Sequence, residues 1–142
     1  MPKANKVNWQ PISQMPLISS MIDTSLNDTR EHLGTLIKAK NKPHVLDDAT
    51  IDRVEQVHTE QMNCVDIYTQ QISRWRTEKP SASPARELDR MEAQNQQLRG
   101  VTADVLTLAR ELRKGTIERV LGMSDLELGI QALLGTRSPG RR

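Results

Sequence analysis

Phenylalanine is missing from this sequence of 142 residues, and aromatic side chains amount to Tyr68, Trp9 and Trp75. A core must therefore be assembled from Leu, Ile, Val, Met and Ala. Such cores suit helix on helix, whereas sheets draw on aromatic and β-branched runs that are scarce here. Cysteine is nearly absent too. Cys64 stands alone, so no intrachain disulfide forms and the chain needs no oxidising compartment. No apolar run is long enough to span a bilayer, and residues 1–8 carry none that would serve as a signal peptide. The location expected on these grounds is cytoplasmic. A Gly-rich phosphate loop is lacking, as is a serine elbow between strand and helix, and Cys64 falls mid-helix on a partly apolar face, where a buried thiol behaves as a small hydrophobe. The reading is therefore of a non-catalytic chain with no cofactor.

What is present is helical periodicity. Over residues 48–79, Ile51, Val54, His58, Gln61, Val65, Tyr68, Ile72 and Trp75 recur at alternating steps of four and three. This is the seam spacing of a helix packed lengthwise on another, as in a coiled coil. Leu88, Met91, Asn95, Leu98, Thr102, Val105, Ala109 and Leu112 repeat it over residues 84–114. The connector between them, with Pro80 and Pro84, only reverses the chain, so the expected fold is an all-α antiparallel bundle built on one long hairpin. Asp47 or Asp48 would cap the first arm; Ser83 would cap the second, with Pro84 in its first turn. Folding the arms together sets Trp75 opposite Leu88, Ile72 opposite Met91, Val65 opposite Leu98 and Ile51 opposite Leu112. Two polar pairs follow, Tyr68 with Asn95 and Gln61 with Thr102. Buried polar groups need partners, and matched pairs would fix the register.

Around the hairpin, residues 1–14 read as an extended arm in which Trp9 either tucks against the bundle or hooks a partner. Residues 15–135 form a single domain. Its first helix spans about 16–40, with Pro16 in the opening turn and Ile18, Met21, Ile22, Ser25, Thr29, Leu33, Leu36 and Ile37 along one face. Beyond Leu98 the return arm carries more than one apolar stripe, which two short helices at about 117–121 and 125–134 would cover. A capping box at Ser124 to Glu127 opens the second of these. Residues 136–142 read as a disordered basic tail.

The charge of +2 is set by the tails. Without Lys3, Lys6, Arg137, Arg141 and Arg142, the 20 basic residues fall to 15 against 18 acids, a net of −3 for the body. Three basic clusters, Lys38/Lys40/Lys42, Arg74/Arg76/Lys79 and Arg110/Arg113/Lys114, lie at helix C-termini and face acids at the following N-termini. That arrangement makes a poor phosphate track, and residues 116–134, which mimic a helix-turn-helix, present Asp125 and Glu127 where phosphate would approach. Nucleic-acid binding is left to weak association through the tails.

The sharpest chemical motif is Glu55-x-x-His58, the pair that di-iron carboxylate bundles place on a helix face. Its counterpart on the return arm, Glu92-x-x-Asn95, lacks the imidazole, and the other histidines are His32 and His44. A reduced site from Asp28, His32, Glu55 and His58 is the metal-binding alternative, as an enzyme or sensor. The favoured reading has no metal and gives the chain a role in association. A thin aliphatic core gains from burial against a second copy, which favours a homodimer, and Trp75, Met91 and Trp9 are the candidate partner contacts.

Overall fold

A computed structural model describes residues 7–42 and 46–116. All regular structure among them is helical: a 3-10 turn at Ile12–Gln14, then α1 (Met15–Ala39), α2 (Asp48–Thr77) and α3 (Ala82–Arg113). No strand occurs among the described residues, and none of their helices is long and apolar enough to cross a membrane. The two short helices and the basic tail expected after residue 116 lie outside the described residues.

Each helix boundary has a local cause. Pro16 stands in the first turn of α1, where a missing N–H costs nothing. Of the two candidate aspartates, Asp47 is the cap of α2; its Oδ1 accepts from the Thr50 N–H at 2.8 Å. The α2–α3 connector is closed by Lys79, a non-glycine residue in the left-handed region with φ 53°. α3 starts earlier than its sequence suggests. Ser81 rather than Ser83 occupies the N-cap position, without a side-chain capping bond, so Pro84 is the third helical residue. The position tolerates proline because the first four N–H groups of a helix have no intrahelical acceptor.

α3 lies alongside both α1 and α2, whose own backbones approach one another less. Three apolar clusters follow one another along the long axis. The first joins Met15 and Ile22 of α1, Ile72 and Trp75 of α2, and Leu88 and Met91 of α3. The second joins Leu26, Val65, Leu98 and Val101; the third joins Leu36, Ile51, Val105, Ala109 and Leu112. Numbers rise along α1 and α3 together and fall along α2, so α2 runs against the other two. The apolar half of α3 beyond Leu98 is met by α1, whose Leu26 shares a cluster with Val101 and whose Leu36 shares one with Val105.

The Gln61 and Thr102 pair forms as its seam positions imply, with the Gln61 Nε2 donating to Thr102 Oγ1 at 2.8 Å. Tyr68 and Asn95 do not pair. The Asn95 amide donates instead to the Val65 carbonyl and to Thr69 Oγ1, both at 3.1 Å. One residue along an α-helix is a rotation of about 100°. Thr69 thus faces Asn95 on α3, while Tyr68 packs against the first two apolar clusters.

The leading arm is not wholly extended, because Gln14 N–H bonds back to the Pro11 carbonyl at 2.9 Å in the 3-10 turn. It is docked on the end of α2. Trp75 Nε1 donates to the Gln10 carbonyl at 3.0 Å, and Gln10 N–H donates to Gln71 Oε1 at 2.8 Å. The second of these gives the side-chain carbonyl of the buried Gln71 its donor.

Candidate functional site

The metal-ligand candidates divide between two faces of α2. Glu55 turns toward α3, where the Arg113 guanidinium holds it and also reaches Asp52 at 2.7 Å. Three residues apart on α2, Glu55 and His58 thus take different neighbours. His58 turns inward and is buried, and its Nδ1 lies 2.8 Å from the Val54 carbonyl. Across the α1–α2 seam it meets His32, with ring centroids 5.7 Å apart and planes inclined at 71°. Asp28, one turn before His32, is exposed. Among the described residues no three His, Cys, Asp or Glu side chains converge. The structure therefore brings together His32 and His58 from the sequence candidates and separates Glu55 from them.

Burial holds the His58 imidazolium below its ordinary range, as does the neighbouring His32, against the opposing effect of the Val54 carbonyl. With Nδ1 facing a carbonyl, the ring proton belongs on Nδ1, and Nε2 carries the lone pair. One helical turn away, Gln61 donates to Thr29 Oγ1 and to Thr102 Oγ1, each at 2.8 Å. The seam between α1 and α2 thus carries a polar layer beside an imidazole pair, flanked by apolar clusters.

The partner-contact candidates fare differently. Trp75 and Met91 are fully buried in the first cluster, so neither has surface to offer a partner in this fold. Trp9 is half-buried on the bundle with the Arg74 guanidinium 4.1 Å from its ring centroid, a cation–π contact. Cys64, read as a buried thiol, is exposed. Among the described residues, the exposed large apolar ones are Leu17, Met21, Ile37 and Val57.

Three of the cations at the helix ends are matched locally. Arg76 pairs with Asp89 at 2.9 Å and with Glu92, Arg113 pairs with Asp52 and Glu55, and Lys114 pairs with Glu111 at 3.6 Å. A further network between α1 and α3 has no counterpart in the seam pattern. Arg90 grips Asp23 with two bonds, at 2.9 and 3.2 Å, and holds Glu87, which accepts from the Ser19 hydroxyl. The Arg90 bonds keep the Asp23 and Glu87 carboxyls below their usual range. The signal available in sequence was Ser19 and Asp23 one turn apart, with Glu87 and Arg90 likewise; it links helices that are not consecutive, so a hairpin register cannot reveal it.

Among the described residues, clefts open at the surface, two of which border the ion pairs above. One of about 370 Å³ is lined by Met15, Pro16, Ser19, Ser20, Asp23 and Glu87. The other, about 280 Å³, lies between α2 and α3 and is lined by Thr69, Ile72, Ser73, Arg76, Glu92, Asn95 and Gln96. Their charged groups are already engaged in the ion pairs above. Comparison with models of known protein families, with characterised proteins and with solved structures finds no match to this chain.

Proposed function

We propose that this chain is a non-catalytic antiparallel helical bundle built on the α2–α3 hairpin, acting by association with a second copy of itself, in the cytoplasm. The observation that carries the reading is the pair Leu17 and Met21, which are 56% and 43% exposed. At a spacing of four residues they share one face of α1. They take the place of Trp75 and Met91 as contact residues, because those two are consumed by the core. Covering two large aliphatic side chains on both copies removes apolar area from water at roughly 25 cal/mol per Å², and a two-fold axis presents the same patch on each side.

Sedimentation equilibrium on the full chain tests this. The expected result is a dimer for the native sequence and a monomer for the Leu17→Ser, Met21→Ser double variant, with unchanged helicity by circular dichroism. A native chain that stays monomeric across the accessible concentrations rejects self-association. A variant that dimerises as the native chain does rejects this surface.

A further inference from the structure

We infer that His32 and His58 form a two-imidazole site for a divalent transition cation of the zinc class, which clamps α1 to α2. The two rings come from helices that run in opposite senses, and their centroids lie 5.7 Å apart. Two imidazoles on one tetrahedral ion, with Zn–N bonds of about 2.0–2.1 Å, hold their centroids roughly 5 to 6 Å apart. The rings therefore already stand at the separation such an ion needs. His32 is exposed and has room to turn its ring from the edge-to-face orientation into a converging one.

His58 has the features of a prepared ligand. Its Nδ1 is committed to the Val54 carbonyl at 2.8 Å, which fixes the tautomer and leaves the Nε2 lone pair for the ion. A ligating histidine commonly donates its other N–H to a backbone carbonyl in this way. The polar layer of Thr29, Gln61 and Thr102 one turn away pins the α1–α2 register and so fixes the distance between the two imidazoles.

The ligand chemistry sets the class of ion. Imidazole nitrogen suits Zn²⁺, Ni²⁺ and Cu²⁺, whereas Mg²⁺ and Ca²⁺ want oxygen. Glu55 is held by Arg113 and no third ligand residue joins the pair among the described residues. Water completes the coordination, so the site is open and the ion exchangeable. Its effect falls on the pair of helices whose backbones approach least, α1 and α2, where a cross-link has most to add. The site stands apart from the association reading and acts within one chain.

Calorimetric titration of the full chain with Zn²⁺ and Ni²⁺ at pH 7.5 tests the inference, with Mg²⁺ as the contrasting ion. One zinc or nickel ion per chain is expected, with no binding of Mg²⁺. At a free concentration 100 times the dissociation constant the melting temperature should rise by about 5–10 °C. His32→Ala, at an exposed position, should weaken binding at least tenfold while the apo protein melts as before. Ni²⁺ should broaden the ring-proton resonances of His32 and His58 in the native chain, which covers the case in which a His58 variant fails to fold. The clamp is overturned if no ion binds, if His32→Ala binds as tightly as the native chain, or if His44→Ala is the change that abolishes binding. It is also overturned if zinc doubles the mass seen by light scattering, since the ion would then bridge two copies.

Discussion

Gln61 and Thr102 face each other across α2 and α3 with the amide nitrogen 2.8 Å from the hydroxyl oxygen, and the same nitrogen reaches Thr29 on α1. One primary amide uses its two N–H groups to hold all three helices in one layer. The acceptors are buried, Thr29 to 2% and Thr102 to 0% exposure, so the layer cannot exchange its bonds for water. Thr29 keeps a second bond, donating to the Ser25 carbonyl at 2.7 Å. Thr102 depends on Gln61. Gln61→Met should therefore cost about 1–2 kcal/mol in urea unfolding by stranding the Thr102 hydroxyl. Adding Thr102→Val should recover part of that loss, giving a coupling of about 1 kcal/mol in the double-mutant cycle. Strictly additive effects of the two substitutions would show that the bond contributes nothing.

Asn95 sits 1% exposed with an unequal set of bonds. Its Nδ2 has two acceptors, while its Oδ1 has no donor. An unmade buried acceptor costs about 1–3 kcal/mol. Replacing Asn95 with leucine removes that acceptor and strands nothing, since Thr69 continues to donate to the Val65 carbonyl at 3.0 Å. Asn95→Leu should raise the urea midpoint, with a gain of about 1 kcal/mol. The gain should come at the expense of a unique register, seen as poorer dispersion of methyl resonances. A lower midpoint with intact dispersion would mean that Oδ1 has a donor, such as a water, in solution.

The difference between these two polar residues also marks how far the sequence alone carries. Alternating steps along α2 and α3, joined by a short connector, set the register well enough to pair Gln61 with Thr102 and to bring Val65 and Leu98, and likewise Trp75 and Leu88, into shared clusters. A seam pattern reports which residues face inward, but not which of two neighbouring helices each one faces. Tyr68 and Thr69 show the consequence: the first, on the seam, packs into the apolar clusters, while the second, off the seam, reaches Asn95. Trp75 is legible as a seam residue opposite Leu88, either packed there or free for a partner; the structure buries it in the first cluster, and the leading arm adds the Gln10 backbone bonds that no seam spacing reveals. Cys64 looked half-apolar by its neighbours and is exposed, since nothing in the spacing measures how far α1 stands from α2. For the same reason the meeting of His32 with His58 had no register behind it. The longer connection between α1 and α2 leaves their alignment to packing.

His58 makes the stability of the fold depend on pH. Its ordinary value is 6.5, and burial, aided by His32, lowers it in the folded chain. The unfolded chain then binds a proton at this site at a higher pH than the folded chain does, so protons favour unfolding. The stability contributed by neutral His58 is present above pH 6.5 and is lost as the pH falls through the folded value. Asp23 and Glu87, also lowered, by Arg90, act in the same direction but from starting values of 3.8 and 4.5, well below this window. Urea unfolding should therefore show a lower midpoint at pH 5.5 than at pH 7.5, and a further loss below pH 4 as those carboxylates protonate. His58→Gln should flatten the first decline and leave the second in place. Should the variant keep the full slope between pH 7.5 and 5.5, the decline belongs to another group, and the buried ring would not be the proton-sensitive point of the α1–α2 seam.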